Sequence, residues 1–229
     1  MSRSESRQFH MSVEGANCER LYFEHLAKLI NCSGQNKYNL KISPKAMSPL
    51  QYAKRTAYKP VDKQRGGRNL PYIHIQDIED YYDTEQRQKF YRIIDEMRTA
   101  ERTFGISYCL GYSNYTFELW MLLHVTDMTA SAANRGAYLR SINQYFNRKY
   151  SSLDEFKNAA AFQRLLDEFI TLDTVFDAVR RAERIVDSNV KQNKKKISYH
   201  GVAFYPDNPD VTVHEVVRMI FDVCEVRHT

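Results

Sequence analysis

Four acids crowd the end of one short β-branched run, PYIHIQDIEDYYD at 71–83. Tyr72, Ile73 and Ile75 favour a strand. Asp77, Glu79, Asp80 and Asp83 must end it, because ionised carboxylates are not buried without partners. In an open α/β sheet the carboxyl ends of the strands are where ligands bind, and several carboxylates there offer hard oxygen donors to a divalent cation. The same acids also suit a solvated helix start, where negative charge meets the positive end of the helix dipole. Glu14 has a matching address. It follows an expected strand within Arg7 to Val13 and precedes Gly15, which allows a sharp turn, and Asn17, a good N-cap. Glu118 is the lone charge in the apolar run Phe117 to Leu123. A carboxylate there is costly unless paired, protonated or bound to metal. The alternative is an exposed helix edge or a bond to a nearby N–H group. Ser113 and Asn114 add polar groups beside it.

Carboxylates at strand ends can serve phosphodiester hydrolysis, which needs a metal to polarise phosphate and activate water, and a group to move a proton. Basic residues cluster although the net charge is only +5. Lys54, Arg55, Lys59, Lys63, Arg65 and Arg68 form one group, and Lys191, Lys194, Lys195 and Lys196 another. Such clusters suit a phosphate backbone, and they equally suit a solvated face. The sixteen tyrosines can pack, bond or stack on bases. No pair of histidines has metal spacing and no two cysteines make a CxxC pair, which argues against zinc and against a disulfide framework. Reduced thiols, a polar start and the lack of an apolar run near the roughly 20 residues of a membrane span point to a cytoplasmic protein. A Gly-rich GxxxxGK[ST] loop is absent, so a nucleotidyl or phosphoryl transferase has little support.

The elements that position these acids alternate. Strands are expected within 7–13, 38–42, 71–77 and 105–110. Helices are expected at about 18–30, 49–58 and from 84, where Thr84 is the candidate cap, to about 103. This β-α-β-α-β-α-β order predicts a mainly parallel sheet with helices on both faces. If the strands bearing Glu14 and Asp77 are neighbours, their acids share one cleft. Stripes such as Tyr138, Ile142, Phe146 and Phe162, Leu166, Phe169 make the following region helical. A strand near 202–205 and a last helix carrying Val213, Val216, Val217 and Ile220 close the chain. The expected division is an α/β domain at 1–130, a helical subdomain at 131–196, and a C-terminal strand and helix at 197–229 packing back on the first.

Three stretches resemble one family. Glu14 to Phe23 (EGANCERLYF) is similar to the EGxxTExxYF opening of the RloB-like family, which includes the AbiLii abortive-infection protein. Asp77-Ile78-Glu79-Asp80 falls where that family has DxD, and Ser113 to His124 resembles its SNPxFELWLLLHF signature. NPDVTVHEVV near the end also looks family-like. The family in turn resembles the Toprim fold. The resemblance implies an Mg²⁺- or Mn²⁺-dependent nuclease in bacterial anti-phage defence, cutting RNA (tRNA included) or DNA. It also implies an ABC-type or AAA ATPase partner, no membrane, and a homodimer as an open option. It makes Glu14 the acid–base residue and a metal contact, and Asp77 a ligand with Glu79 or Asp80. Glu118 becomes a further ligand or a structural carboxylate, with Gly15, Glu19, Ser113 and Asn114 in support. Lys54, Arg55, Arg65, Arg68, Lys194 and Lys195 are the expected nucleic-acid contacts. The rival is a non-catalytic nucleic-acid-binding or regulatory module of an ATPase-containing defence complex. Cys18, Glu79 and Tyr115 depart from the family pattern, which has threonine, aspartate and proline there.

Overall fold

The computed structural model describes residues 5–57, 70–132 and 134–227. Strand β1 (Ser6–Phe9) and strand β2 (Met11–Val13) replace the single expected first strand. The break falls at His10, whose ring stacks on Tyr72 at 4.6 Å between centroids. Helix α1 (Cys18–Ser33) follows, then β3 (Asn39–Ile42), β4 (Lys45–Ala46), α2 (Pro49–Thr56), β5 (Tyr72–Asp77), α3 (Thr84–Phe104) and β6 (Tyr108–Asn114). The remainder is α4 (Glu118–Leu122), α5 (Ala137–Tyr145), α6 (Leu153–Phe156), α7 (Ala159–Phe169), α8 (Leu172–Lys191), the strands β7 (Ile197–Tyr199), β8 (Val202–Phe204) and β9 (Asp210–Val211), and α9 (Val213–Cys224).

The main sheet has the order β4-β2-β5-β6-β9. All its pairs are parallel except β6 with β9. This is a mixed α/β architecture with a mainly parallel sheet set among helices, consistent with a Toprim-like fold. The strand at 38–42 does not join it: β3 pairs with β1 in a separate two-stranded ribbon. Its place at the edge goes to β4, which is too short to leave a period-2 signature. The fourth strand also lies further along than its apolar residues suggest, ending at Ser113 and Asn114.

The strands that matter are neighbours. Met11 pairs with Ile73 and Val13 with Ile75, while Asp77 pairs with Ser113 on the other side. Side chains alternate across a strand, so β5 serves two cores. Ile73 and Ile75 enter the larger one, with Phe23 and Leu26 of α1, Trp120 of α4 and Val217 of α9. Ile78, just past the strand, enters a smaller one with Phe90 and Ile94 of α3 and Phe204 of β8. The helical region shares the larger core: Ile142, Phe156, Phe162 and Val175 are all buried within it.

Gly111 marks where α9 meets the sheet. A Cβ there would lie 2.8 Å from Ile75 Cδ1 and 3.0 Å from Val216 Cγ2. Both neighbours are held in the core, so Gly111→Ala should lower stability by about 1–3 kcal/mol. Urea unfolding will show this as a lower midpoint at unchanged slope.

Candidate metal and catalytic site

Glu14 lies directly after β2, and its backbone N–H donates to Ile75 O at 3.0 Å, which ties it to β5. Its Oε2 accepts from the Asp77 backbone N–H at 3.0 Å and, in a very short bond, from Gln76 Nε2. Its Oε1 accepts from Lys89 Nζ at 2.6 Å. Gln76 is the end of a buried polar row. Ser12 Oγ meets His74 Nδ1 at 2.8 Å, and His74 Nε2 meets Gln76 Oε1 at 3.3 Å. Burial lowers the His74 pKa to about 4, so the row is neutral at pH 7 and orients Glu14 without adding charge.

Asp77 is the most constrained acid. Its Oδ1 is buried and has no hydrogen-bond partner, although the residue as a whole is partly exposed. Burial raises its pKa well above the ordinary carboxylate value, and the charges of Glu19, Glu14 and Glu118 add to the rise. Glu19, in the first turn of α1, folds back over Gly15. A Cβ at residue 15 would overlap the Glu19 carboxylate, which explains glycine there. Glu19 is itself pushed up to about 7, by burial first, with Glu14 and Glu118 adding while its backbone N–H and Lys157 oppose.

Glu118 opens α4 with its carboxylate fully buried. Thr116 Oγ1 donates a very short hydrogen bond to its Oε2. Its Oε1 stands 3.1 Å from Lys157 Nζ, close enough for an ion pair, yet without an aligned hydrogen bond. Ser113 Oγ, on the strand position beside Asp77, is also buried without a partner. Asn114 turns the other way and donates to Tyr205 O and Pro206 O at 3.2 and 2.8 Å, which fastens the C-terminal segment to β6. The Asn114–Tyr115 peptide bond is cis.

Glu79 and Asp80 separate in the structure. Glu79 faces Arg135 at 3.7 Å. Asp80 is exposed, and its Oδ1 accepts from Tyr82 N within the turn. The cap of α3 is Asp83, which accepts from Glu85 N and Gln86 N, and not Thr84. The expected nucleic-acid contacts are elsewhere. Lys54 and Arg55 lie on α2, whose Tyr52 packs on His10 and Tyr72 at the opposite ends of the strands from Glu14 and Asp77. Lys194 and Lys195 lie between α8 and β7. Arg65 and Arg68 lie outside the described residues.

Three cations at the site escape sequence reasoning: Lys89 on α3, Arg135 just before α5, and Lys157 after α6. Burial pulls the Lys157 pKa down, but the charges of Glu118 and Asp77 outweigh it and keep the amine protonated. Lys89 behaves likewise, with Glu14 as the main opposing charge. Only Lys89 has a sequence signal: a lysine in the opening turns of a helix opposes the dipole. His124 closes the Ser113–His124 stretch, a position where a charged histidine would suit the helix dipole. It is no cation at a helix end, because burial lowers its pKa to about 4 while its ring bonds Tyr22 and the carbonyls of Trp120 and Met121.

The donor set fits a hard cation. Asp77 Oδ1 and Ser113 Oγ are buried without a hydrogen-bond partner, Glu118 Oε1 has only its ion pair with Lys157, and buried polar atoms normally find partners. Five acids (Glu14, Glu19, Asp77, Glu79 and Glu118) gather there against three cations, and the crowding of like charge contributes to the raised pKa values of Asp77 and Glu19. In the conformation described, no three His, Cys, Asp or Glu side chains among the described residues already stand at metal-binding separation. Lysines meet two of the acids instead.

A profile described as "RloB-like protein" matches residues 9–220, most of the chain and every acid above. The chain belongs to the RloB-like protein family. No curated protein and no solved structure matches it. The RloB-like match extends through the helical region and so includes α5 to α8. Among the described residues no helix is long and apolar enough to cross a membrane.

Proposed function

We propose that this RloB-like protein is a nuclease that hydrolyses phosphodiester bonds in RNA or DNA with bound Mg²⁺ or Mn²⁺. The observation that carries this reading is the buried, unpartnered Asp77 Oδ1 and Ser113 Oγ, with the buried Glu118 carboxylate and the Glu14 carboxylate beside them. Asp77 and Glu118 would hold the metal, with Glu14 at its edge. Glu79 lies one step outward and Asp80 outside. A bound divalent ion supplies charge stabilisation at the phosphate and an acidified water. Glu14 is the residue placed to take a proton. Its Oε2 is fixed by Asp77 N and Gln76, and its Oε1 bonds the half-exposed amine of Lys89. Phe117 and Trp120, which flank Glu118 at the start of α4, pack on Tyr22 in the buried core, and apolar surroundings strengthen a charge interaction. A cytoplasmic role in abortive-infection defence beside an ATPase partner belongs to the same proposal, on the family resemblance.

One observation favours a non-catalytic module instead: Lys89 and Lys157 already neutralise two of the acids. Thermal melting separates the readings. Binding to the folded state must raise stability, so millimolar Mg²⁺ or Mn²⁺ should raise the melting temperature by several degrees over chelator. Metal-dependent cleavage of tRNA or DNA should accompany the shift and vanish in Glu14→Ala. A melt indifferent to metal would support the module.

A further inference from the structure

The three cations pose a question of their own. They come from separate elements, yet each ends on an acid of one site: Lys89 on Glu14, Arg135 on Glu79 and Lys157 on Glu118. Lys157 and Arg135 lie close enough for Arg135 to disfavour the charge on Lys157. The Arg135 Nε is buried and has no acceptor. Like charges gathered in this way, with a donor left over, await an anion that bridges them.

A flat aromatic stands beside them. Tyr82 is 65% exposed, the most exposed large hydrophobic side chain among the described residues. It follows Glu79 by three residues, in the turn between β5 and α3. Its hydroxyl donates to Asp207 Oδ1 at 2.7 Å. The next residue, Asn208, accepts from Ala132 N through Oδ1 and donates to Ala132 O through Nδ2. These bonds tie the tyrosine to the segment leading into Arg135. A ring held by its phenol, with its face in solvent, is a stacking platform.

The geometry points to a single-stranded nucleic-acid segment as the occupant. One backbone phosphate sits among Lys89, Arg135 and Lys157, and a neighbouring base stacks on Tyr82. A duplex keeps its base faces covered and cannot use the ring. This inference rests on the nuclease reading, and it moves the strand path from the basic clusters at 54–68 and 191–196 to the gap between the sheet and the helical region. With a cation held by the acids, Lys89, Arg135 and Lys157 would be free to pair with the phosphate instead.

The test is binding of labelled single-stranded RNA, single-stranded DNA and duplex DNA to the full chain by fluorescence anisotropy across a salt series, with Ca²⁺ in place of Mg²⁺ so that cutting is suppressed. Lys89→Met, Arg135→Gln and Lys157→Met should each weaken single-strand binding about fivefold or more. Each should also lower the slope of log K against log salt by about 0.7, the signature of a lost phosphate contact on a single strand. Tyr82→Ala should weaken binding by a similar factor at unchanged slope, since stacking releases no counterions. Lys157→Arg, which keeps the charge, should retain the slope and serves if the methionine variant does not fold. Unchanged slopes in all three cation variants, a neutral Tyr82→Ala, or duplex bound as tightly as single strand would overturn the inference. Wild-type protein that binds no nucleic acid sinks the nuclease reading itself. Wild-type binding with indifferent variants sinks only this placement.

Discussion

Asp77→Asn should make the metal-free protein more stable and, on the proposed nuclease reading, abolish cleavage. The carboxylate is buried, its Oδ1 has no donor, and Glu19, Glu14 and Glu118 all oppose its charge. Its pKa is therefore raised in the fold. The sign follows: ionisation favours the unfolded chain, and the penalty grows as pH rises above the ordinary carboxylate value. Asparagine keeps the shape and removes the charge. A gain of about 2 kcal/mol is expected in chelator at neutral pH, or roughly 4–8 °C in melting temperature for a chain of this size. The metal-induced shift should disappear. Cleavage should fall by at least about 10³-fold, as for loss of a group that stabilises charge in the transition state. A variant that cuts within tenfold of wild type, or still gains stability from Mg²⁺, would remove Asp77 from the site.

The second large effect lies away from the acids. Asp210 is 1% exposed and begins β9 at the edge of the sheet. Its Oδ2 accepts a short bond from the Tyr112 hydroxyl and one of 2.9 Å from Tyr205 N. Asp210→Ala leaves both donors buried without an acceptor, at about 1–3 kcal/mol each. A loss of about 4 kcal/mol, or roughly 10 °C, is expected. Asp210→Asn retains an acceptor and should lose less than half of that. Pairing the alanine change with Tyr112→Phe in a double-mutant cycle should return a coupling of about 1 kcal/mol or more. Strict additivity would show that the short bond contributes nothing. The NPDVTVHEVV stretch fastens the chain end in two places, to β6 through the Asp210 bond with Tyr112 and to α8 through the Asn189 bond to Pro209 O at 2.9 Å.

The acids were legible in the sequence because each violates a local expectation. Asp77 ends a buried strand, and Glu118 interrupts an apolar run. Their convergence required strand order, which composition does not encode but which the pairing of β2 with β5 supplies. The cations were not legible. Lys157 and Arg135 sit in a region whose polar residues read as helix surface, and nothing local distinguishes a lysine facing solvent from one reaching a buried glutamate. The break at His10 was hidden for a related reason: residues 6–13 are extended throughout, and only their partners differ. The two-residue β4 was invisible because alternation needs more residues than it has.

The double loyalty of β5 bears on how the site behaves as a device. Ile73 and Ile75 are clamped by one core and Ile78 by the other, and Asp77 lies between them. A strand gripped from both faces cannot slide or rotate to move its carboxylate away from Glu19 and Glu118. The mutual repulsion of these acids finds no outlet in backbone movement, and the oxygens stay converged in the protein's resting state. The backbone that carries Asp77 is thus set during folding, and on the proposed reading only side chains, Lys89 and Lys157 among them, have to rearrange to admit a cation.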